Sequence, residues 1–243
     1  MQIYEQDEFT TEVKSDNSPL TQADLASHDT IMSYLAGTEI PVLSEEGKDI
    51  PFQDRSNWEL LWIVDPLDGT KEFIKRNGEF TVNIALIRDH IPVLGVVYAP
   101  AIRELYFAEQ STGSYKVTNL LADSSVDNLI KSAVELPVKD EQRPLTVVAS
   151  RSHLSEETSQ FIEELKKKHG TIDSISKGSS LKLCMVADGS ADCYPRFAPT
   201  MEWDTAAGHA ICKFAGFEVT DQVTGMEMIY NRENLLNNWF LVH

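Results

Sequence analysis

Two aspartates on either side of a proline, Asp65 and Asp68, are the residues whose types and spacing most directly indicate chemistry. They follow the apolar run 62–64, which predicts the buried end of a strand, and they precede Gly69 and Thr70. A proline fixes its own backbone and favours an extended residue before it. We therefore expect the chain to leave the strand at Asp65, turn at Pro66 and begin a short helix near Asp68. Such a turn lets both carboxylates converge on one point.

Two carboxylates at one point repel each other unless one is protonated or a cation lies between them. Hard oxygen ligands of this kind suit Mg²⁺. The N–H groups of Gly69 and Thr70, at the start of the predicted helix, suit an anion such as phosphate. The structural alternative is that Asp68 merely caps the helix and Asp65 forms a turn. The other acidic positions of the chain bear on that choice.

Further acids stand at the ends of predicted elements. Glu45 and Glu46 follow a short apolar strand at 41–43, and that strand can contribute to the same metal site if it neighbours the strand ending at Asp65. Asp24 lies in the first turn of a helix that opens after residue 21, where a capping role is the simpler interpretation. Asp204 opens the last long helix and is, taken alone, also a helix cap. The small residues after it predict a closely packed face.

Composition indicates a folded protein with a strong negative charge. The chain has 243 residues, of which 42% are hydrophobic, and its formal net charge is -17. This charge argues against a nucleic-acid polymer as partner and repels small anions unless metal ions invert the local field. We see no membrane-spanning run and no signal peptide. The cysteines at 184, 193 and 212 form no C-x-x-C pair, which is typical of reduced thiols in the cytoplasm.

The order of predicted elements indicates two parts. Short strands at 80–87, 91–98 and 105–108 predict an antiparallel meander. Residues 110–144 lose periodicity, so we place a domain connection there. This gives an α+β subdomain at 1–140 with most metal ligands and an α/β subdomain at 141–243. In the second part strands and helices alternate, with strands at 145–149, 171–176, 191–194, 217–219 and 238–242 and helices at 155–169, 178–187 and 204–214.

Taken together, these motifs resemble a known family. Glu45, the turn D-P-L-D-G-T at 65–70 and W-D-T-A-A-G at 203–208 resemble the inositol monophosphatase superfamily, over nearly the whole chain and in the same order. S-S-L-K at 179–182, Y-P-R-F at 194–197 and the block 65–83 are similar to its CysQ-type 3′(2′),5′-bisphosphate nucleotidases. The resemblance implies a layered αβαβα sandwich with the site between two subdomains. It also implies Mg²⁺-dependent, lithium-sensitive hydrolysis of adenosine 3′,5′-bisphosphate to AMP and phosphate, and of its 5′-phosphosulfate analogue, in sulfur assimilation.

The resemblance assigns metal ligands residue by residue. Glu45, Asp65 and the carbonyl of Leu67 hold one Mg²⁺, and Asp65, Asp68 and Asp204 hold a second. Some relatives hold a third, weaker ion beside Glu45. Four of these residues, Glu45, Leu67, Asp68 and Asp204, also belong to the implied substrate-binding set, and Glu45 to the catalytic set.

The same resemblance implies further catalytic and substrate contacts. Thr70 hydrogen-bonds the attacking water, which Asp24 orients, and the N–H groups of Gly69 and Thr70 cradle the phosphate. Ser179, Lys182 and Arg196 contact the nucleotide and its second phosphate. Two cations would serve a phosphate that a simple monoester lacks.

Three alternatives stay open from the sequence. An inositol or sugar monophosphatase would keep the fold and metals, although the segment around Arg196 argues against it. A haloacid-dehalogenase-type phosphatase uses D-x-D-G-T with an aspartyl nucleophile, one residue shorter than the spacing here. A non-catalytic protein that binds divalent ions would explain the charge, but it gives no reason for Thr70, Ser179 and Lys182.

The resemblance leaves assembly, location and the chain start less defined. It allows a monomer or homodimer in the cytoplasm, and some relatives lie at the inner membrane, although we find no anchor here. The family begins with a longer helix than the dozen or so residues that precede the loop at 14–19. Two explanations fit this difference: a trimmed start, or an edge that is built differently from that of relatives.

Overall fold

A seven-stranded sheet forms the main layer of the N-terminal half. The computed structural model describes residues 1–6, 11–13, 19–121, 123–138, 143–150 and 155–243. The elements up to residue 135 are β1 Thr11–Val13, β2 Pro19–Thr21, α1 Gln22–Leu35, a 3₁₀ turn Ala36–Thr38, β3 Val42–Ser44, α2 Phe52–Arg55, β4 Leu60–Asp68, α3 Thr70–Ile74, β5 Thr81–Arg88, β6 Ile91–Ala99, β7 Glu104–Glu109, β8 Gly113–Val117, α4 Val126–Ser132 and β9 Val134–Glu135. Strands β3 to β9 lie in sequence order, with β3 parallel to β4 and the rest antiparallel.

The C-terminal half alternates strands and helices, as the sequence predicts. Its elements are β10 Thr146–Ser150, α5 Glu156–His169, β11 Asp173–Lys177, α6 Leu181–Ala187, β12 Tyr194–Arg196, α7 Glu202–Phe214, β13 Val219–Asp221 and β14 Phe240–Val242. Strands β10 and β11 pair in parallel, and β14 lies between β12 and β13. Helices α6 and α7 pack between the large sheet and these small ones, α5 lies on β12, and α1 lies on β4. The layered αβαβα sandwich is thereby confirmed.

Strand β4 differs from its prediction at residues 65–68, the segment that carries two of the candidate metal-binding carboxylates. It runs through Pro66 to Asp68 instead of ending at Asp65, and helix α3 begins only at Thr70. Asp65 pairs with Asn83, and Asp68 pairs with Thr81. Three steps along β4 therefore match two steps along β5, so β4 carries one extra residue between Asp65 and Asp68. The predicted turn is therefore a β-bulge. Proline fits there because the disturbed ladder does not need the N–H that proline lacks.

The stretch at 110–144 is more structured than its sequence predicts. It holds β8, which pairs with β7, then α4 and the short edge strand β9. Helix α4 buries none of its residues and both residues of β9 are exposed, so neither shows the apolar period of a packed element. The boundary drawn at 140 falls within 139–142, outside the described residues, and the two-subdomain division stays a prediction.

Helix α7 lies unusually close to its neighbours, as its small residues predict. A Cβ added to Gly95 on β6 would lie 2.4 Å from the carbonyl oxygen of Ala207. One added to Gly208 would lie 2.8 Å from the side chain of Leu183 on α6. Such approaches leave no room for a larger residue without a shift of the backbone. The helix that begins next to Asp204 is thus fixed against both the sheet and α6.

Three further expectations concern the cysteines, the loop at 14–19 and membrane-spanning segments. The three cysteines are buried and unpaired, as expected of small core residues. Residues 14–18 of the predicted loop lie outside the described residues. In the described part of the chain, no helix has both the length and the apolar character needed to cross a bilayer.

Candidate active site

Three carboxylates meet at the junction of the two halves. Asp65 and Asp68 come from the bulged end of β4, and Asp204 comes from the first turn of α7. One carboxylate oxygen from each lies within 4.8 Å of those of the other two. The bulge lets two residues of a strand point to one place although their spacing on a straight strand would turn them apart.

Protein donors already hold one oxygen of each carboxylate. The Oδ1 atom of Asp65 accepts the N–H of the residue two positions on at 3.0 Å. The Oδ2 atom of Asp68 accepts the N–H of Ser180 at 2.6 Å, and that of Asp204 accepts the N–H of Met201 at 2.7 Å. The Oδ2 atom of Asp65 is buried and has no hydrogen-bond partner in the described structure. A buried, unpaired carboxylate oxygen is costly, and a cation would satisfy it.

The electrostatics of the cluster point the same way. Burial, followed by the charges of Glu45, Asp68 and Asp204, raises the pKa of Asp65 well above its usual value. Burial and then the charge of Asp68 raise the pKa of Asp204 to about 7. The cluster therefore resists full ionisation near neutral pH, and a divalent cation between the carboxylates would reverse that effect.

Glu45 lies beside this cluster and not within its 4.8 Å limit. Strand β3 pairs in parallel with β4, and the N–H of Glu45 donates to the carbonyl of Val64 at 3.1 Å. The two strands are therefore neighbours, which is the condition for Glu45 to contribute to the same site. The charge of Glu45 is the second-largest cause of the raised pKa of Asp65. The role of Glu45 and of the Leu67 carbonyl as ligands stays a prediction.

Thr70 and Asp24 form a hydrogen-bonded pair that joins α3 to α1. The hydroxyl of Thr70 donates to Oδ1 of Asp24 at 3.2 Å. The other oxygen, Oδ2, accepts the N–H and hydroxyl of Thr21 at 2.8 and 2.5 Å, completing a capping box on α1. Asp24 thus serves as the helix cap that its position predicts and also contacts Thr70. Its side chain is 1% exposed, so this geometry is fixed.

Two buried cations lie near the carboxylates, and their charges interact with Asp68 and Asp204. Lys182 is 6% exposed and Arg196 7%. The ammonium of Lys182 donates to the carbonyl of Ser179 and lies 5.6 Å from the centre of the Tyr194 ring. Arg196 donates from Nη2 to Pro199 at 2.8 Å, while its Nε is buried without a partner in the described structure. Burial lowers the pKa of Lys182 to about 8. An anion would stabilise both charges and satisfy the free donor.

A cleft of about 270 Å³ connects the two charged groups. Seven of the predicted residues line it: Asp68, Gly69, Thr70, Ser179, Lys182, Arg196 and Asp204. Asp24, Glu45, Asp65 and Leu67 are absent from its lining and lie behind it, next to residues that do line it. The lining of the cleft therefore includes both carboxylates and cations.

Ser180 lies in the motif S-S-L-K and Asn83 ends the block 65–83, but the sequence gave neither a role, and the structure places both inside the site. Ser180 bonds to Asp68 and to the Asp204 backbone, and Asn83 donates to both Ser180 and Asp68. Asn83 follows an ordinary strand pattern and gave no signal. A pair of serines immediately before a helix was the one clue to Ser180.

Comparison with known proteins agrees with this geometry. The family model described as the inositol monophosphatase family matches residues 1–239. The chain belongs to the inositol monophosphatase family. The 3′(2′),5′-bisphosphate nucleotidase CysQ of Salmonella typhimurium is 46% identical over 94% of this chain and 87% of the relative. CysQ of Shigella flexneri is 48% identical over the same shares.

A solved structure extends the likeness to three dimensions. CysQ from Bacteroides thetaiotaomicron, described as a bacterial member of the family, has a TM-score of 0.92 and 54% identity, covering 100% of this chain and 90% of that one. Membership of the family excludes the haloacid-dehalogenase-type alternative. The resemblance predicted from the sequence is confirmed.

Proposed function

We propose that this protein is a Mg²⁺-dependent 3′(2′),5′-bisphosphate nucleotidase that hydrolyses adenosine 3′,5′-bisphosphate to AMP and phosphate. The observation that carries the proposal is the presence of a carboxylate cluster and two buried cations in one cleft. The carboxylates suit divalent cations that bind the phosphate being cleaved, and Lys182 and Arg196 suit a second phosphate on the same substrate. The two CysQ relatives bear the name of this activity. The 5′-phosphosulfate analogue fits the same reasoning as a further substrate.

The carboxylates are proposed to hold two Mg²⁺ ions. Glu45, Asp65 and the Leu67 carbonyl would hold one ion, and Asp65, Asp68 and Asp204 the other. The unpaired Oδ2 of Asp65 supports its role as the shared ligand. The donor set contains no His or Cys, which favours Mg²⁺ over Zn²⁺. When bound, such ions lower the pKa of a coordinated water and neutralise charge on the leaving oxygen.

Thr70 and Asp24 are proposed to orient the attacking water. The Thr70 hydroxyl gives its hydrogen to Oδ1 of Asp24, so its lone pairs are left to accept a hydrogen from the water. Asp24 is held rigidly by Thr21 and can keep the hydroxyl in this orientation. The N–H groups of Gly69 and Thr70 are proposed to bind the phosphate undergoing cleavage.

Lys182, Arg196 and Ser179 are proposed to bind the second phosphate. The side-chain oxygen of Ser179 is buried without a partner in the described residues, and so is the Nε of Arg196. A bound phosphate would satisfy both and would keep Lys182 protonated at neutral pH. We also propose lithium sensitivity, a cytoplasmic location and a place in sulfur metabolism, since these belong to the nucleotidase branch that the sequence resembles.

The test is phosphate release, with Mg²⁺, from adenosine 3′,5′-bisphosphate and inositol 1-phosphate side by side. We expect a strong preference for the nucleotide. Lys182→Met should lower kcat/KM for the nucleotide by about 10- to 100-fold, the size of one charge-assisted hydrogen bond. It should change the inositol phosphate rate far less. Lys167→Met on the exposed face of α5 is the matched control, since it removes one charge far from the cleft.

Either of two results would contradict the proposal. A preference for inositol 1-phosphate would keep the fold and metal site but assign the protein to the monophosphatase branch. Release from neither substrate, together with measurable Mg²⁺ binding, would favour a non-catalytic role in binding divalent ions.

A further inference from the structure

Ser180 lies where the two halves of the carboxylate cluster meet. It directly precedes α6, and its side chain is almost completely buried. Its Oγ lies 2.8 Å from Oδ2 of Asp68 on β4 and 2.6 Å from the backbone carbonyl oxygen of Asp204 on α7. Its N–H donates to the same Asp68 oxygen at 2.6 Å. One residue thus joins the strand and the helix that carry two of the three carboxylates.

Asn83 donates to the Ser180 hydroxyl, which is left with two possible acceptors for its own hydrogen. Its Nδ2 donates to Ser180 Oγ at 2.9 Å and lies 3.3 Å from Oδ2 of Asp68. The hydroxyl has a single hydrogen, so it donates either to Asp68 or to the Asp204 carbonyl. Both acceptors are within reach without any movement of the backbone. The contacts therefore form a closed network that links β4, β5, α6 and α7.

We propose that Ser180 is a positioning residue for a divalent cation shared by Asp68 and Asp204. The inference rests on the proposed function only in requiring that cation. Ser180 and Asn83 occupy Oδ2 of Asp68 and so leave its other oxygen to the metal. By holding the Asp204 backbone, Ser180 also fixes the separation of the two ligands. Groups that hold metal ligands in place typically change metal affinity 10- to 100-fold when removed.

The proposal is selective between the two predicted ion sites. In the described structure, the side-chain hydrogen bonds of Ser180 go to Asp68, Asp204 and Asn83, while Asp65 is held through its own Oδ1 by a neighbouring N–H. Loss of the hydroxyl should therefore weaken the site that uses Asp68 and Asp204. The site that uses Glu45 should keep its affinity.

The test is calorimetric titration of Mg²⁺ into the full chain without substrate. Ser180→Ala removes the hydroxyl but keeps the N–H bond to Asp68. We expect one class of Mg²⁺ site to weaken about 10- to 100-fold and the other to stay unchanged. Ser114→Ala is the matched control, because Ser114 is also buried and its hydroxyl has no partner in the described structure. Its isotherm should match that of the unmodified protein.

Two further readouts separate positioning from a general loss of structure. The metal-free melting temperature of Ser180→Ala should change little, and its turnover should recover at high Mg²⁺. Asn83→Ala provides a second route, because it removes the donor to Ser180 and should weaken the same class of site. A lower metal-free melting temperature with turnover that Mg²⁺ does not restore would overturn the proposal.

The outcomes distinguish this inference from the proposed function. An unchanged Mg²⁺ isotherm for Ser180→Ala, with normal binding by the unmodified protein, overturns the Ser180 role alone. Normal Mg²⁺ binding with no hydrolysis of either substrate overturns the proposed activity, while a selective loss in Ser180→Ala still supports the positioning role. Absence of Mg²⁺ binding by the unmodified protein overturns both.

Discussion

Helix α7 carries two acids two positions apart, the buried Glu202 and the partly exposed Asp204, and their surroundings differ. The carboxylate of Glu202 is 0% exposed and accepts three donors: the N–H of Asn231 at 2.6 Å, the N–H of Arg232 at 3.0 Å and its Nε at 3.2 Å. Asp204 instead faces Asp65 and Asp68, so its neighbours carry the same charge. Glu202 thus accepts three donors, one of them a cation, whereas Asp204 accepts the N–H of Met201 and faces like charges.

The network around Glu202 extends to a buried arginine. Arg55 is 2% exposed and donates to the side chain of Asn231 at 2.9 Å and to the carbonyls of Arg232 and Glu233 at 2.7 and 3.1 Å. This network ties α2 and the segment after β13 to the first turn of α7. It completes its own hydrogen bonds, so it needs no ligand and serves stability.

The difference between the two environments indicates separate roles for Glu202 and Asp204 in the first turn of α7. A buried acid without compensation costs free energy of folding and persists where something else supplies the compensation. Glu202 anchors the start of the helix and Asp204 presents a charge to the cleft. Because the anchor and the exposed charge share one turn, the position of Asp204 depends on a network that never contacts the substrate.

The first prediction concerns the loss of one charge from the carboxylate cluster, and it has the largest expected effect. Asp65→Asn should lower turnover by about 1,000-fold or more, because it removes the proposed shared ligand and with it several kcal/mol of stabilisation of the reacting charges. The metal-free protein should be as stable as before or more so, since one of the repelling charges is gone. Phosphate release and metal-free thermal unfolding measure the two effects. Normal turnover would refute the ligand assignment.

The second prediction concerns the loss of the Glu202 carboxylate from its hydrogen-bond network. Glu202→Ala should lower the free energy of unfolding by about 3 kcal/mol, because it leaves the buried donors of Asn231 and Arg232 without their acceptor. Chemical denaturation measures this loss. Glu164→Ala on the exposed face of α5 is the control and should be nearly neutral. Equal stability of the two variants would show that the network does not hold the helix.

Local sequence patterns predicted the elements that are determined by their own residues, such as helix caps, turns and alternating strands. Helix α5 begins after Ser155, which caps it through a bond to the N–H of Thr158, and ends at Gly170 with φ of 81°. Serine before a helix and glycine after it are among the residue types preferred at these positions. The meander of β5 to β7 followed from turns and alternating residues in the same way.

Features that depend on distant contacts were not predictable in this way. Pro66 read as a turn because nothing local shows that β5 continues the pairing across a bulge. The bond between Arg55 and Asn231 joins residues 176 positions apart. Of the site, the motifs identified the carboxylates through family resemblance, whereas Ser180 and Asn83 required the fold itself.

The smallest expected effect is a pH dependence of stability that is linked to the protonation of Asp204. The pKa of Asp204 is raised to about 7, so the folded metal-free protein binds a proton that the unfolded chain releases near pH 4. The stability linked to this proton is complete below pH 4 and is lost as the pH rises through about 7. Asp204 is partly exposed to the cleft, which limits the loss to about 2 kcal/mol.

Mg²⁺ should counteract this loss. The cation binds the ionised carboxylates, so the rise in melting temperature that it produces should grow from pH 5 to pH 8. Thermal unfolding with and without Mg²⁺ across this range measures the difference and removes the contribution of groups away from the site. In Asp204→Asn the growth should be smaller, because the variant has no proton to displace at that position. A Mg²⁺ effect independent of pH would show that the cluster is ionised even without a cation, and the contrast with Glu202 would then rest on hydrogen bonding alone.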